Sequence, residues 1–370
     1  MMTFVKSRYV KVIFLFLIST TFFSFDKILP SLVIVGALVY YGPLFFLKKY
    51  FFIFVVPILS FFVNFLGQAS YNIFFLPVFV SAAHVLYEND IVSIDDVLYA
   101  LTINVTLGVA FALFANLFGP NLFSFSLWEK GLPDLYAPMG FSPTQQVFGT
   151  LCIINLIICL ERRLYSIPFW ISLVGVCATF NRCSLLFCCL LFAIYKKGIF
   201  LMLFLCCIPI VVFFWGDIYD VFFSLSTLVS RAELREGVDF SYWHSNNIFV
   251  YVFGNGNIET LDAIARKTEW GRSNVENGLD FLFHSYGILG FVLYSFLSMC
   301  FIFTLYRKKV SRLIPIVLFY LFFEQFFTQE FVSSSFLFFL ITVFLLSDLD
   351  KKRFKLLRIA RKAGEVHLLK

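Results

Sequence analysis

Apolar runs close to the length that crosses a bilayer follow one another along most of this chain, and they limit its fold more than any other feature. A helix needs about 20 mostly apolar residues to span the hydrocarbon core. Nearly chargeless runs cover residues 12–25, 28–47, 51–66, 71–87, 97–118, 146–160, 167–180, 183–195, 199–215, 279–306, 313–327 and 331–346. At 60% hydrophobic and 14% charged, the composition departs from that of soluble domains, which are about 45–50% apolar and about 25% charged. Barrel strands alternate apolar and polar residues, and these runs do not, which argues against a transmembrane barrel. The expectation is an all-α polytopic membrane protein with about 12 transmembrane helices.

Charge sets the expected orientation. Lys6, Arg8 and Lys11 precede the first run, and Lys48-Lys49, Arg162-Arg163, Lys196-Lys197 and Arg307-Lys308-Lys309 close later ones. With both termini cytoplasmic and alternating spans, most of the 29 Lys and Arg fall on the inner side, as the positive-inside rule requires. The chain then divides into spans 1–9 over residues 1–215, a large outer loop over 216–276 between spans 9 and 10, spans 10–12 over 277–350, and a basic cytoplasmic tail over 351–370. The tail interleaves Phe354, Leu356, Leu357 and Ile359 with basic residues, a pattern suited to a helix lying on an anionic leaflet. No small-residue cleavage site follows the first run, so it reads as a retained helix. The nine Cys sit in apolar runs or at their edges and read as small buried residues.

The long polar loop carries Arg231, Arg235, Arg266, Lys267 and Arg272, several acids, and His244. Outer loops of this length carry charge without penalty, so a solvated domain also accounts for them. Arg182 is different, because it sits between two apolar runs with almost no loop around it. An arginine there is costly and marks a function or a paired carboxylate. Glu324, Gln325, Gln329 and Glu330 lie near the outer end of the last two runs, where they either line a polar cavity or bond between helices.

Several motifs fall on the same expected side: Gly140-Phe141-Ser142-Pro143, Thr179-Phe180-Asn181-Arg182, the Arg231–Arg235 stretch followed by Trp243, Phe253-Gly254-Asn255-Gly256, and Glu276-Asn277-Gly278-Leu279 ahead of Tyr286-Gly287-Ile288-Leu289-Gly290. In this order they resemble the bacterial O-antigen polymerase and O-antigen ligase superfamily, the Wzy-type polymerases especially. The resemblance covers roughly residues 140–295, while the first half matches as hydropathy alone. Family members often have Ser before the junction Arg and Asn after the turn Pro, where this chain has Asn181 and Thr144. Ligases commonly carry His-Asn where this chain has Glu276-Asn277, which favours the polymerase side.

The resemblance implies a glycosyltransferase of the bacterial inner membrane that acts on undecaprenyl-pyrophosphate-linked oligosaccharide in the periplasm, among membrane lipids, with a chain-length regulator as a possible protein partner and no nucleic acid. A departing pyrophosphate concentrates negative charge, which Arg meets with bidentate, permanently charged contacts. Arg182 and Arg231 are the expected catalytic arginines, and Glu276 is the expected base for the acceptor hydroxyl. Arg235, Arg272, Asn277, His244 and Glu324 are the expected substrate-binding residues. Glu276 also reads as an acid capping a helix start. No acidic metal cluster stands out, so the expected reaction uses neither metal nor cofactor. The alternatives are an O-antigen ligase, acting on lipid A–core, and an O-unit flippase.

Overall fold

A computed structural model describes residues 7–63, 71–127, 132–198, 248–254, 278–328 and 330–362. Most of them are helical: α1 (Arg8–Ile18), α2 (Phe25–Tyr41), α3 (Pro43–Val63), α4 (Phe75–Glu88), α5 (Ile94–Phe118), α6 (Gln145–Arg162), α7 (Ile167–Ala178), α8 (Arg182–Tyr195), α9 (Ile248–Phe253), α10 (Gly278–Arg307), α11 (Leu313–Leu318) and α12 (Ser334–Lys362). Among the described residues, α5, α6 and the stretch Phe281–Arg307 of α10 are long and apolar enough to cross a membrane. Ile103, Phe114, Trp170, Phe296 and Phe303 are large apolar side chains exposed on the outer surface, as suits helices able to sit in a membrane.

α6 is the central element. Every residue from Val147 to Leu160 is buried, so it reads as apolar all round and is enclosed by its neighbours. Asn155 in its middle donates from its amide nitrogen to Ser172 of α7 at 2.9 Å and to Thr102 of α5 at 3.2 Å, which satisfies that nitrogen and ties three helices together.

Ion pairs gather helix termini at one end of the bundle. Arg8 of α1 approaches Asp96 of α5 at 3.8 Å, Arg162 of α6 pairs with Asp95, and Lys49 of α3 pairs with Glu88 of α4. Lys308 lies 3.2 Å from Asp348 of α12, which also accepts from Tyr87. Asp96 serves a second purpose, since Ser93 and Asp96 form a reciprocal capping box at the start of α5. These contacts place the starts of α1, α3 and α5 at the same end as the ends of α4 and α6.

Three local features depart from the sequence reading. The first apolar run does not continue to residue 25. α1 stops at Ile18, where the hydroxyls of Ser19 and Thr20 turn back to the carbonyls of Phe16 and Leu17 at 2.7 and 2.8 Å, and Phe23 and Ser24 adopt left-handed backbone. The polar stretch before α6 is not wholly irregular, because β1 (Ser124–Leu127) and β2 (Leu132–Pro138) form an antiparallel hairpin with Ser124 opposite Pro138. Asn116 clamps it to the end of α5, donating to the Tyr136 carbonyl at 2.8 Å and accepting from its amide at 3.0 Å. Finally, α10 is broken at Gly287 (φ 65°, ψ −168°).

Candidate functional site

The end of the bundle opposite the ion pairs collects the polar motifs. The Gly140–Pro143 turn is pinned by aromatic rings: Phe141 packs edge-on against Phe16 and Phe111, and Thr21 donates to the Phe141 carbonyl at 2.9 Å from both its amide and its hydroxyl. Gly140 has φ +57°, and a methyl group there would meet the Gly108 backbone and the Phe148 ring at 3.2 Å. Thr144 then caps α6 by accepting from the Val147 amide at 3.2 Å.

The junction between α7 and α8 reverses the chain in three residues. Phe180 takes a left-handed backbone, and the Asn181 side chain caps α8 by accepting from the Cys183 amide at 3.0 Å. Arg182 is therefore the first residue of α8, half-buried and engaged in the surrounding interactions. Gly149 of α6 allows this junction to press close, since a methyl group there would overlap the Ser184 hydroxyl at 2.5 Å and touch that of Thr179 at 3.5 Å.

The third contributor is the segment between α11 and α12. α11 continues into a π-helical turn, Phe319–Glu324, and ends with one turn, Gln325–Phe327. Such widened turns recur at functional positions because they re-aim side chains. Here the turn directs Glu324 inward, toward Glu330 and the start of α12. Thr150 of α6 lies 2.9 Å from Glu324 and 2.6 Å from Glu330. Glu330 also receives the Tyr320 hydroxyl at 3.3 Å and that of Ser335. Its backbone amide donates to the Gln325 side chain at 3.2 Å. Both carboxyls are buried, and no Lys or Arg among the described residues pairs with either. The start of α10 joins the same place: the Gly278 amide donates to the Thr328 carbonyl at 3.2 Å.

Buried polar atoms with no partner are concentrated here. Ser142, Gln145, Asn181, Ser184, Glu324, Gln325 and Ser334 each carry one, and they make up seven of the thirteen such atoms among the described residues. Each isolated buried donor or acceptor costs about 1–3 kcal/mol. They crowd onto three segments that meet at one end, 142–145, 181–184 and 324–334, an arrangement that suits a ligand rich in hydroxyl groups.

The sequence-predicted residues divide accordingly. The structure brings Arg182 and Glu324 to the same end of the bundle. Arg231, Arg235, His244, Arg272, Glu276 and Asn277 lie outside the described residues. Thr150, Tyr320, Ser184 and Ser335 were not singled out from sequence, since each is a small or aromatic residue inside an apolar run and only the packing brings it to the carboxyls.

A separate cavity of about 220 Å³ lies among α3, α4, α10 and α12, lined by residues such as Ile53, Leu76, Leu293, Phe301 and Leu340. The hydroxyls of Tyr286 and Tyr294 on its wall are occupied by the carbonyls of Ile73 and Leu321, which leaves a lining almost wholly of carbon.

No protein-family model matches the chain, and no curated protein matches it.

Proposed function

We propose that this chain is an O-antigen polymerase of the bacterial inner membrane, with about 12 spans, both termini cytoplasmic and its large loop in the periplasm. It transfers a growing glycan from undecaprenyl pyrophosphate to the terminal sugar of a new lipid-linked repeat. The observation that carries the reading is the convergence, at one end of the bundle, of the Gly140 turn, the Thr179–Arg182 junction, the start of α10 and the acidic segment 324–335, together with seven unpartnered buried polar atoms. Those atoms suit sugar hydroxyls. A guanidinium at the first turn of α8 adds its charge to the positive end of that helix, which favours a pyrophosphate there. The apolar cavity suits the prenyl tail.

In this reading Arg182 and Arg231 neutralise the leaving pyrophosphate, Arg235 and Arg272 hold it, and Asn277, His244 and Glu324 meet sugar. Deleting the gene should leave core capped by a single repeat when lipopolysaccharide is run on a gel. Arg182→Ala should give the same pattern with protein still in the membrane, and full-length ladders from that variant would remove Arg182 from the site. A bare core in the deletion strain, with long lipid-linked chains accumulating, would make the protein a ligase. A proton-coupled flippase is the second reading, favoured by the buried carboxyl pair and the broken α10. Lipid-linked repeats stalled on the cytoplasmic face of the deletion strain would select it.

A further inference from the structure

The Thr150 hydroxyl carries one proton, yet three acceptor oxygens surround it: the Gln146 carbonyl at 3.2 Å, Glu324 Oε1 at 2.9 Å and Glu330 Oε1 at 2.6 Å. One proton serves one acceptor. Two ionised carboxylates against the same hydroxyl would repel each other at close range in a buried site, with no cation from the described residues to offset them. The arrangement closes when one carboxyl is neutral and donates to Thr150 Oγ1, while Thr150 donates to the other.

The two glutamates are not equivalent. Glu330 faces three hydroxyl donors, from Thr150, Tyr320 and Ser335. Among the described residues, Glu324 faces Thr150 alone, and its Oε2 has no partner. Glu330 is thus the member solvated as an anion, and Glu324 the member that carries the proton. Among the described residues, the other titratable groups within electrostatic reach of both are Tyr320 itself and Cys183 of α8, the residue after Arg182. Two further fully buried polar groups at the margin lack partners among the described residues: the Gln325 amide nitrogen, whose oxygen already accepts from the Glu330 amide, and the Ser184 hydroxyl beside Gly149.

We infer that Glu324 and Glu330 form a one-proton carboxyl pair, bridged by Thr150, and that this pair is where the proton of the acceptor hydroxyl goes during transfer. The inference rests on the polymerase reading and deepens it, because it assigns the base to residues other than Glu276. In the reaction the acceptor O–H bond breaks, its oxygen bonds to the anomeric carbon, and the bond from that carbon to the pyrophosphate oxygen breaks with its electron pair leaving on the pyrophosphate. The released proton enters the pair, whose single vacancy is on Glu330, and passes afterwards to water or to the departed phosphate. No oxidant, reductant or further reactant is needed.

The test uses full-length protein returned to a deletion strain, and the same variants purified with lipid-linked repeats. Glu330→Gln keeps the shape and removes the charge, and it should lower polymer formation by about 100-fold or more, in line with the share of catalysis a general base supplies. Glu324→Gln imitates the neutral member, so it should melt at the wild-type temperature and leave the acidic limb of the pH–rate profile, which reports Glu330, in place; a shifted acidic limb would put the resting charge on Glu324 instead. Thr150→Ser should retain activity and the wild-type profile, whereas Thr150→Val should lose both. If Glu330→Gln fails to accumulate, the Thr150 variants carry the test alone. Full ladders with an unchanged pH profile from both Glu330→Gln and Thr150→Val would overturn the pair as proton acceptor. That result is separable from failure of the polymerase reading, in which the deletion strain itself would not show core capped by a single repeat.

Discussion

Asp26 is buried in the first turn of α2, ahead of the apolar run that follows it, and burial pushes its carboxyl from 3.8 up to about 6 despite the opposing charge of Lys27. A carboxyl that holds its proton more tightly when folded stabilises the fold fully below 3.8 and loses that contribution as pH rises through about 6. Thermal unfolding in detergent should therefore show a melting temperature that falls between pH 4 and 6. Asp26→Asn should flatten that fall and melt above the wild type at neutral pH. The same scale governs what a reader of the sequence could see. Arg182 was legible, because a lone arginine between apolar runs has few reasons to exist. Glu324 and Glu330 were legible as polar residues but not as a pair. Six residues apart across a helix end, they meet only because a widened turn re-aims one and Thr150, 174 positions away from Glu324, bridges them.

At the scale of elements, the close crossing of α9 and α10 is the sharpest constraint. Gly254 and Gly287 both have positive φ, and a methyl group at either would fall within 3 Å of the other's backbone. Their spacing in the Phe-Gly-x-Gly and Tyr-Gly motifs was visible in the sequence, but a bare glycine does not reveal which backbone it makes room for. The Gly287 conformation is one that essentially only glycine adopts, worth about 1–3 kcal/mol of strain for another residue. Gly287→Ala should lower the melting temperature more than Gly42→Ala, a site that shares the positive φ but leaves open space for the methyl. Comparable losses from both would place the cost in the backbone conformation rather than in the crossing. The hairpin before α6 was missed for a different reason: its strands are short, lie beside four prolines in a stretch of turn residues, and are held by Asn116 from a neighbouring helix rather than by a pattern of their own.

For the whole molecule, the hydropathy pattern carried the architecture, since burial in lipid forces backbone groups to pair within each helix. The alternation of termini gives a direct check. A reporter fused after residue 120 and one fused after residue 196 should register on opposite sides of the membrane, and the same side for both would break the alternation. The sequence reading ended the last span near residue 346 and laid the basic tail on the leaflet as a separate helix. Instead α12 runs unbroken from Ser334 to Lys362. At ~1.5 Å per residue its 29 residues extend roughly 43 Å, more than the ~30 Å hydrocarbon thickness. One stiff lever thus begins four residues beyond Glu330 and ends in a stretch of sequence rich in lysine and arginine, so any tilt at its acidic foot is delivered, undiminished by a hinge, to whatever touches its basic tip.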